Sequence, residues 1–193
     1  MKTSYSGPLR HEPLALELHN TMYALRGERI DGLETPEDLS VWLAALADRL
    51  PPAARDADPA RQPEFVALRD AVREVLHAAL EGKRPPAGAL EAVNAAATRA
   101  PVSPLALADA RGRLQREVRY HTDDATDVAL AAFAADAIAL LTGPDREGLR
   151  SCGAPGCVLM FLKDHPRRTW CSSTCGNRAR QARHYARARH DRS

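Results

Sequence analysis

Aromatic residues are scarce in this chain, 5% of 193, and its apolar content is carried mainly by alanine, leucine and valine. Sandwiches and barrels lean on aromatic and β-branched side chains, so this scarcity argues against them and for close-packed helices. Long apolar runs are lacking too. The opening "MKTSYSGPLRHEPLALEL" holds no continuous apolar stretch of the signal-peptide kind, and no uninterrupted run elsewhere is long enough to cross a bilayer. A cytoplasmic protein is expected. Ahead of Cys152 there is no cysteine, no glycine-rich phosphate loop, no metal-ligating histidine pair and no nucleophile elbow. An enzyme is therefore the least favoured class. Asp123, Asp124 and Asp127 form a carboxylate cluster, but they stand where acids ordinarily open a helix and pair with its dipole.

Charge is present in quantity and is divided unevenly. The whole chain carries a net +2. From Arg150 to Ser193 ten Lys/Arg oppose only Asp164 and Asp191, a local +8, which leaves −6 for Met1 to Leu149. Opposite charges on two segments suggest two modules, 1–147 and 148–193, and the basic one suits a polyanion. With 45% hydrophobic residues the chain can bury a core.

Periodicity supplies the elements. "PLALELHNT" alternates leucines with other residues and reads as a short strand. "LETPEDLSVWLAALADRLPP" reads as a helix with Thr35 as N-cap, Pro36 in the first turn, Asp38 closing a capping box, and Pro51–Pro52 as its stop. "QPEFVALRDAVREVLHAALEGKRPP" is a longer helix with Gly82 as its C-terminal cap. "AGALEAVNAAATRAP" is a shorter one. "PLALADARGRLQREVRY" reads as a hairpin about Asp-Ala-Arg-Gly. "TDDATDVALAAFAADAIALLTGPD" is a helix capped near Thr122 and closed by Gly143–Pro144. The class expected is mainly α with a small antiparallel β-sheet (α+β), followed by a small treble-clef-like finger. Asn20, Arg69 and Asn94 are polar residues at the end of, or inside, apolar elements and are candidates to line a pocket.

All four cysteines fall in the last 42 residues, as Cys152-x4-Cys157, thirteen residues, and Cys171-x3-Cys175. Two close pairs separated by a short spacer suit one tetrahedral ion, and four thiolates make zinc the default. Unrelated thiols, a redox pair, an iron–sulfur cluster, or His165 replacing one thiolate are the alternatives. "VLMFLKD" and "RRTWC" read as two arms about His165–Pro166, Gly153 and Gly156 as loop residues, and the chain after Cys171 as a helix.

The segment "CSSTCGNR" with the upstream Cys152/Cys157 pair, "FLKDHPRRTWC" and the basic continuation resembles the CGNR zinc finger of bacteria. "LALELHNT", "VWLAAL", "FVALRDAVREVL" and "EAVNAA" resemble the ABATE domain that usually precedes that finger. The resemblance implies one structural zinc held by Cys152, Cys157, Cys171 and Cys175, and a stress-related transcription regulator.

On a helical wheel Ala179, Ala182 and Ala186 fall within about 40° of Cys175, an inward face. Arg180, Arg183 and Arg187 share one flank; Arg178, Tyr185 and Arg189 share the other. No acid interrupts the helix before Asp191. A solvated helix normally mixes signs, so a phosphate-facing surface is expected, with Arg167, Arg168 and His184 as further contacts. The competing reading docks this helix onto the acidic segment. The function expected is a zinc-dependent DNA-binding regulator whose first domain senses a small-molecule effector or protein partner, acting as a homodimer or with a partner. The runner-up is a zinc-stabilised protein-interaction or RNA-binding module.

Overall fold

The computed structural model describes residues 4–190, with side chains described through Arg187. The described residues contain six α-helices, three short 3-10 helices and three two-stranded antiparallel sheets.

The core is built around α1 (Leu14–His19), a short helix whose Ala15, Leu16, Glu17, Leu18 and His19 are all buried. The alternating pattern suggested a strand here; the structure corrects it. An element with five of its six residues buried has almost no solvent face to impose a period, so short apolar runs are ambiguous between strand and helix. Tertiary partners settle the matter. Asp136 Oδ2 accepts the Ala15 N–H at 2.8 Å, supplying the cap that Pro13 cannot. Glu17 accepts the backbone N–H groups of Arg10 and Glu12 and an Arg49 N–H at 3.0 Å.

A hairpin follows, β1 (Met22–Leu25) and β2 (Glu28–Asp31). Its two-residue turn is Arg26-Gly27, with φ of 54° and 91°. That is the positive-φ pair a tight hairpin requires, and glycine accepts it without strain. α2 (Pro36–Ala45) starts as expected: Thr35 Oγ1 accepts the Asp38 N–H and Asp38 accepts the Thr35 N–H. It ends sooner than Pro51, at Ala45, and the next residues fold back as turns that still bury Leu46 and Leu50.

α3 (Gln62–Leu80), α4 (Ala87–Ala97) and α5 (Ala125–Thr142) complete the helical body. Three of the few aromatics meet where α2, α3 and α5 pack together. Trp42 stacks on Phe133 with centroids 5.1 Å apart, and Phe65 meets Phe133 edge-on at 6.3 Å. Alanines on α5 (Ala129, Ala134, Ala137) let neighbouring backbones approach closely around this cluster. By length and composition α5 is apolar enough to cross a membrane, which the uninterrupted-run criterion passes over; half of it is buried inside the protein. Its N-cap is Asp124, not Thr122: Asp124 accepts the N–H groups of Thr126 and Asp127. Arg61 ties Asp124, Asp127 and Glu64 together, and this holds the Glu64 carboxyl down to about 2. Asp124 and Asp127 of the aspartate cluster are thus occupied by capping and ion pairs.

The expected hairpin is β3 (Val102–Ala108) with β4 (Leu114–Tyr120), turning at Gly112 with φ of 74°. The last ribbon, β5 (Leu149–Ser151) with β6 (Met160–Leu162), precedes α6 (Ser173–His190). This corrects the arms expected about His165–Pro166: the strands flank the first cysteine pair, and residues 163–172 are loop and turn. Leu149 and Met160 belong to the main helical core. Asn20 clamps the same ribbon: its Nδ2 donates to Met160 O and its Oδ1 accepts the Met160 N–H, both at 2.9 Å. Glu12 accepts the Leu162 N–H at 2.9 Å and a guanidinium N–H of Arg168.

Candidate metal centre

The first pair sits in the loop between β5 and β6. Cys152 N–H donates to Leu159 O, and Cys157 N–H donates to Ala154 O, both at 2.9 Å, which curls the loop into a knuckle. Gly156, at φ of 71°, takes the left-handed turn before Cys157; Gly153, also expected to need such freedom, does not adopt a positive φ. Cys171 lies just before α6 and Cys175 in its first turn, where the Ser172 hydroxyl accepts the Cys175 N–H at 3.2 Å.

The four sulfurs lie within 4.8 Å of one another. Cys171 and Cys175 Sγ are 3.5 Å apart, Cys157 and Cys171 Sγ 3.8 Å, and no disulfide joins any pair. A tetrahedron with Zn–S of about 2.3 Å has an S–S edge of about 3.8 Å, so the cluster has the size that zinc requires. Three sulfurs are buried and Cys157 is half-buried, which suits a closed structural site. Burial raises the Cys152 thiol, whereas the Cys171 thiol donating to it holds Cys157 down at about 5. The Cys171 thiol, as that donor and itself buried, is pushed far up. Four thiolates at this density need a dication to coexist.

Donors already surround the sulfurs. Backbone N–H groups of Cys171 and Ala154 point at Cys152, that of Leu159 at Cys157, and Arg178 Nη2 lies 3.2 Å from Cys175 Sγ. Such contacts offset the excess negative charge of a four-thiolate zinc site. The Cys175-Gly176-Asn177-Arg178 run therefore reads as structure. Cys175 is a ligand, and Gly176 leaves room for Trp170, since a Cβ there would meet Trp170 Cδ1 at 2.9 Å. Asn177 accepts from Arg180, and Arg178 faces the sulfur. His165 is not part of the cluster; its Nδ1 accepts the Arg167 N–H at 3.1 Å.

The other expected residues are dispersed. Arg168 is drawn inward, over the Phe161 ring at 4.9 Å and onto Glu12, so its guanidinium is engaged within the protein. Arg167, Arg180, Arg183, His184 and Arg187 are exposed. On α6 the inward face is Ala179, buried, and Ala182, half-buried, while Ala186 is exposed because the helix has by then left the body. The Arg189 side chain, Asp191 and Arg192 lie outside the described residues. Asn20, Arg69 and Asn94 do not form one pocket. Asn20 is the buried clamp, buried Arg69 pairs with Asp31 and Asp70, and Asn94 is exposed beside a separate apolar groove with Leu90 and Ile138. Sequence reasoning missed Glu12 and Trp170, whose roles depend on partners brought near only by folding.

Fold and site together define a helical protein carrying a four-cysteine zinc finger. A family model described as "Putative stress-induced transcription regulator" (ABATE) matches residues 12–144, and the CGNR zinc finger matches residues 149–188. The chain belongs to the ABATE family and ends in a CGNR finger. No curated protein matches it.

Proposed function

We propose that the protein is a cytoplasmic, zinc-dependent DNA-binding transcription regulator in which the helical body senses a ligand or partner and α6 contacts the duplex. Its role is binding, not catalysis. One observation carries the reading: Arg180, Arg183 and Arg187 are exposed along α6, and among the described residues none forms an ion pair with a carboxylate. Had the helix docked onto the acidic segment, those pairs would be present. An unneutralised row of guanidinium groups on a rigid helix, anchored at its first turn by Cys175, suits backbone phosphates. Zinc would supply the anchor. Cys152, Cys157, Cys171 and Cys175 would hold it, and the ion would fix the starting direction of α6 relative to the body.

The test is the salt dependence of duplex binding by zinc-loaded protein, followed by fluorescence anisotropy. Each lost phosphate contact flattens the plot of log affinity against log salt by about 0.9, so changing Arg180, Arg183 and Arg187 together to alanine reduces the slope by up to about 2.7. Zinc content stays unchanged. A wild-type protein with no salt response refutes the reading.

A further inference from the structure

Between the helical body and the finger lies a cleft of about 250 Å³ that involves none of the α6 arginines. Its walls come from three places: Met22, Tyr23 and Arg29 of the first hairpin, Arg73 and His77 of α3, and Ser151 with Cys157–Leu159 of the knuckle. Three basic side chains therefore converge on one concavity. Asp31 and Asp70 form ion pairs with Arg69, and both also act on Arg73 through space without pairing with it. Among the described residues neither Arg29 nor Arg73 makes an ion pair.

Two of the three basic side chains are positioned by the buried framework, and burial with the nearby Arg73 favours the neutral ring of His77, which can still donate a hydrogen bond. Arg73 Nη1 donates to the carbonyl of fully buried His19 at 3.0 Å. The His77 ring lies against the His19 ring with centroids 5.5 Å apart. Burial disfavours the half-buried Arg73 guanidinium, which makes no ion pair, and an arriving anion would offset that cost. The remaining wall is largely apolar: Met22, Tyr23, Val158 and Leu159, with Ser151 and Cys157 beside them. Guanidinium forks opposite an apolar wall match a molecule with an acidic head and a hydrophobic body. The volume lies just below the usual range for drug-sized ligands, so the molecule is small.

We infer that this cleft is an effector site for a small organic acid, a phosphate or carboxylate head between Arg29, Arg73 and His77 with its apolar body on Tyr23 and Leu159. This deepens the sensing half of the proposed function and rests on that reading for its regulatory meaning. Binding itself is measured without DNA, so the two ideas fail separately.

The experiment is calorimetric titration of zinc-loaded full-length protein with phenyl phosphate, benzoate and inorganic phosphate. Phenyl phosphate or benzoate is expected to bind saturably, at least tenfold more tightly than inorganic phosphate. Arg29→Ala, at an exposed side chain without an ion pair, should weaken binding at least tenfold with an unchanged melting temperature. His77→Gln should weaken it several-fold. Amide shifts in an NMR titration should centre on Val158 and Leu159. The inference is overturned by no saturable binding of either organic acid, by equal binding of inorganic phosphate, or by an Arg29→Ala variant that binds normally. It is also overturned if a DNA duplex displaces the acid and Arg29→Ala weakens duplex binding equally, since the cations would then belong to the DNA footprint.

Discussion

Replacing Asn20 by alanine tests whether the finger is structurally part of the body. The side chain is fully buried and makes both backbone bonds to Met160, which is itself fully buried. Alanine removes both partners and leaves a buried N–H and a buried carbonyl unsatisfied. Each orphan costs about 1–3 kcal/mol, and a water entering the vacated space recovers part of that, so a loss of about 3 kcal/mol is expected. At about 2–4 °C per kcal/mol for a chain of this size, the melting temperature should fall by about 6–12 °C. Calorimetry on zinc-loaded protein reads this directly. Asn94→Ala, at an exposed position, serves as the control and should change stability by no more than about 0.5 kcal/mol. The variant should also surrender zinc to a competing chelator more readily, because β6 leads directly out of the cysteine knuckle. A melting temperature within 2 °C of wild type, with unchanged zinc retention, would refute the clamp.

Three other outcomes follow from the same geometry. Cys175→Ser should reduce zinc from about one ion per chain to none by elemental analysis, and should lower the melting temperature of the helical body as well, since Leu149 and Met160 sit in its core; an iron–sulfur absorbance band in the purified protein would refute zinc. His19 is held neutral, its pKa lowered to about 3 chiefly by burial and then by Arg73. Between about 3 and 6.5 the unfolded chain binds the proton and the folded one does not, so stability is full above 6.5 and falls with decreasing pH by up to about 1.4 kcal/mol per unit; the wild-type minus His19→Gln difference in urea midpoints should vanish as a function of pH if this is wrong. Gly176→Ala should displace Trp170, shifting tryptophan emission and weakening zinc retention, and an unchanged spectrum would contradict the packing.

How much of this was legible beforehand depended on whether the signal was local. The Thr35–Asp38 capping box, the turn at Asp109–Gly112 and the two cysteine pairs are set by neighbours in sequence, and the structure has them as read. α1 reads as a strand from sequence because five of its six residues are buried, so the leucine alternation carries little information about a solvent side. The β1–β2 hairpin escaped notice since Arg26-Gly27 is a less familiar turn pair than Asn-Gly, although its glycine was visible. Arg168 looked like one more basic residue near the finger. Its role appears only when folding brings up Glu12, 156 positions away.

The shared core has a consequence for how the body could influence α6. Pro144–Gly148 forms a short turn leading directly into β5, so the polypeptide linking body to finger contributes no flexible spacer. Any response has to pass through packed contacts, as small displacements of rigid pieces. The knuckle offers such a route. Leu159 lines the cleft, accepts the Cys152 N–H through its carbonyl, and aims its own N–H at the Cys157 sulfur. A ligand pressing on Leu159 would therefore act on both cysteines of the first pair at once. Cys175, the other end of the same metal tetrahedron, fixes the first turn of α6. A shift of even a few tenths of an ångström at the knuckle would be carried by the ion to the start of an 18-residue helix and grow along its length. On the proposed reading the ion would join the cleft to the arginine row, and α6 in metal-free protein would then lose any response to a cleft ligand even where the helix itself persists.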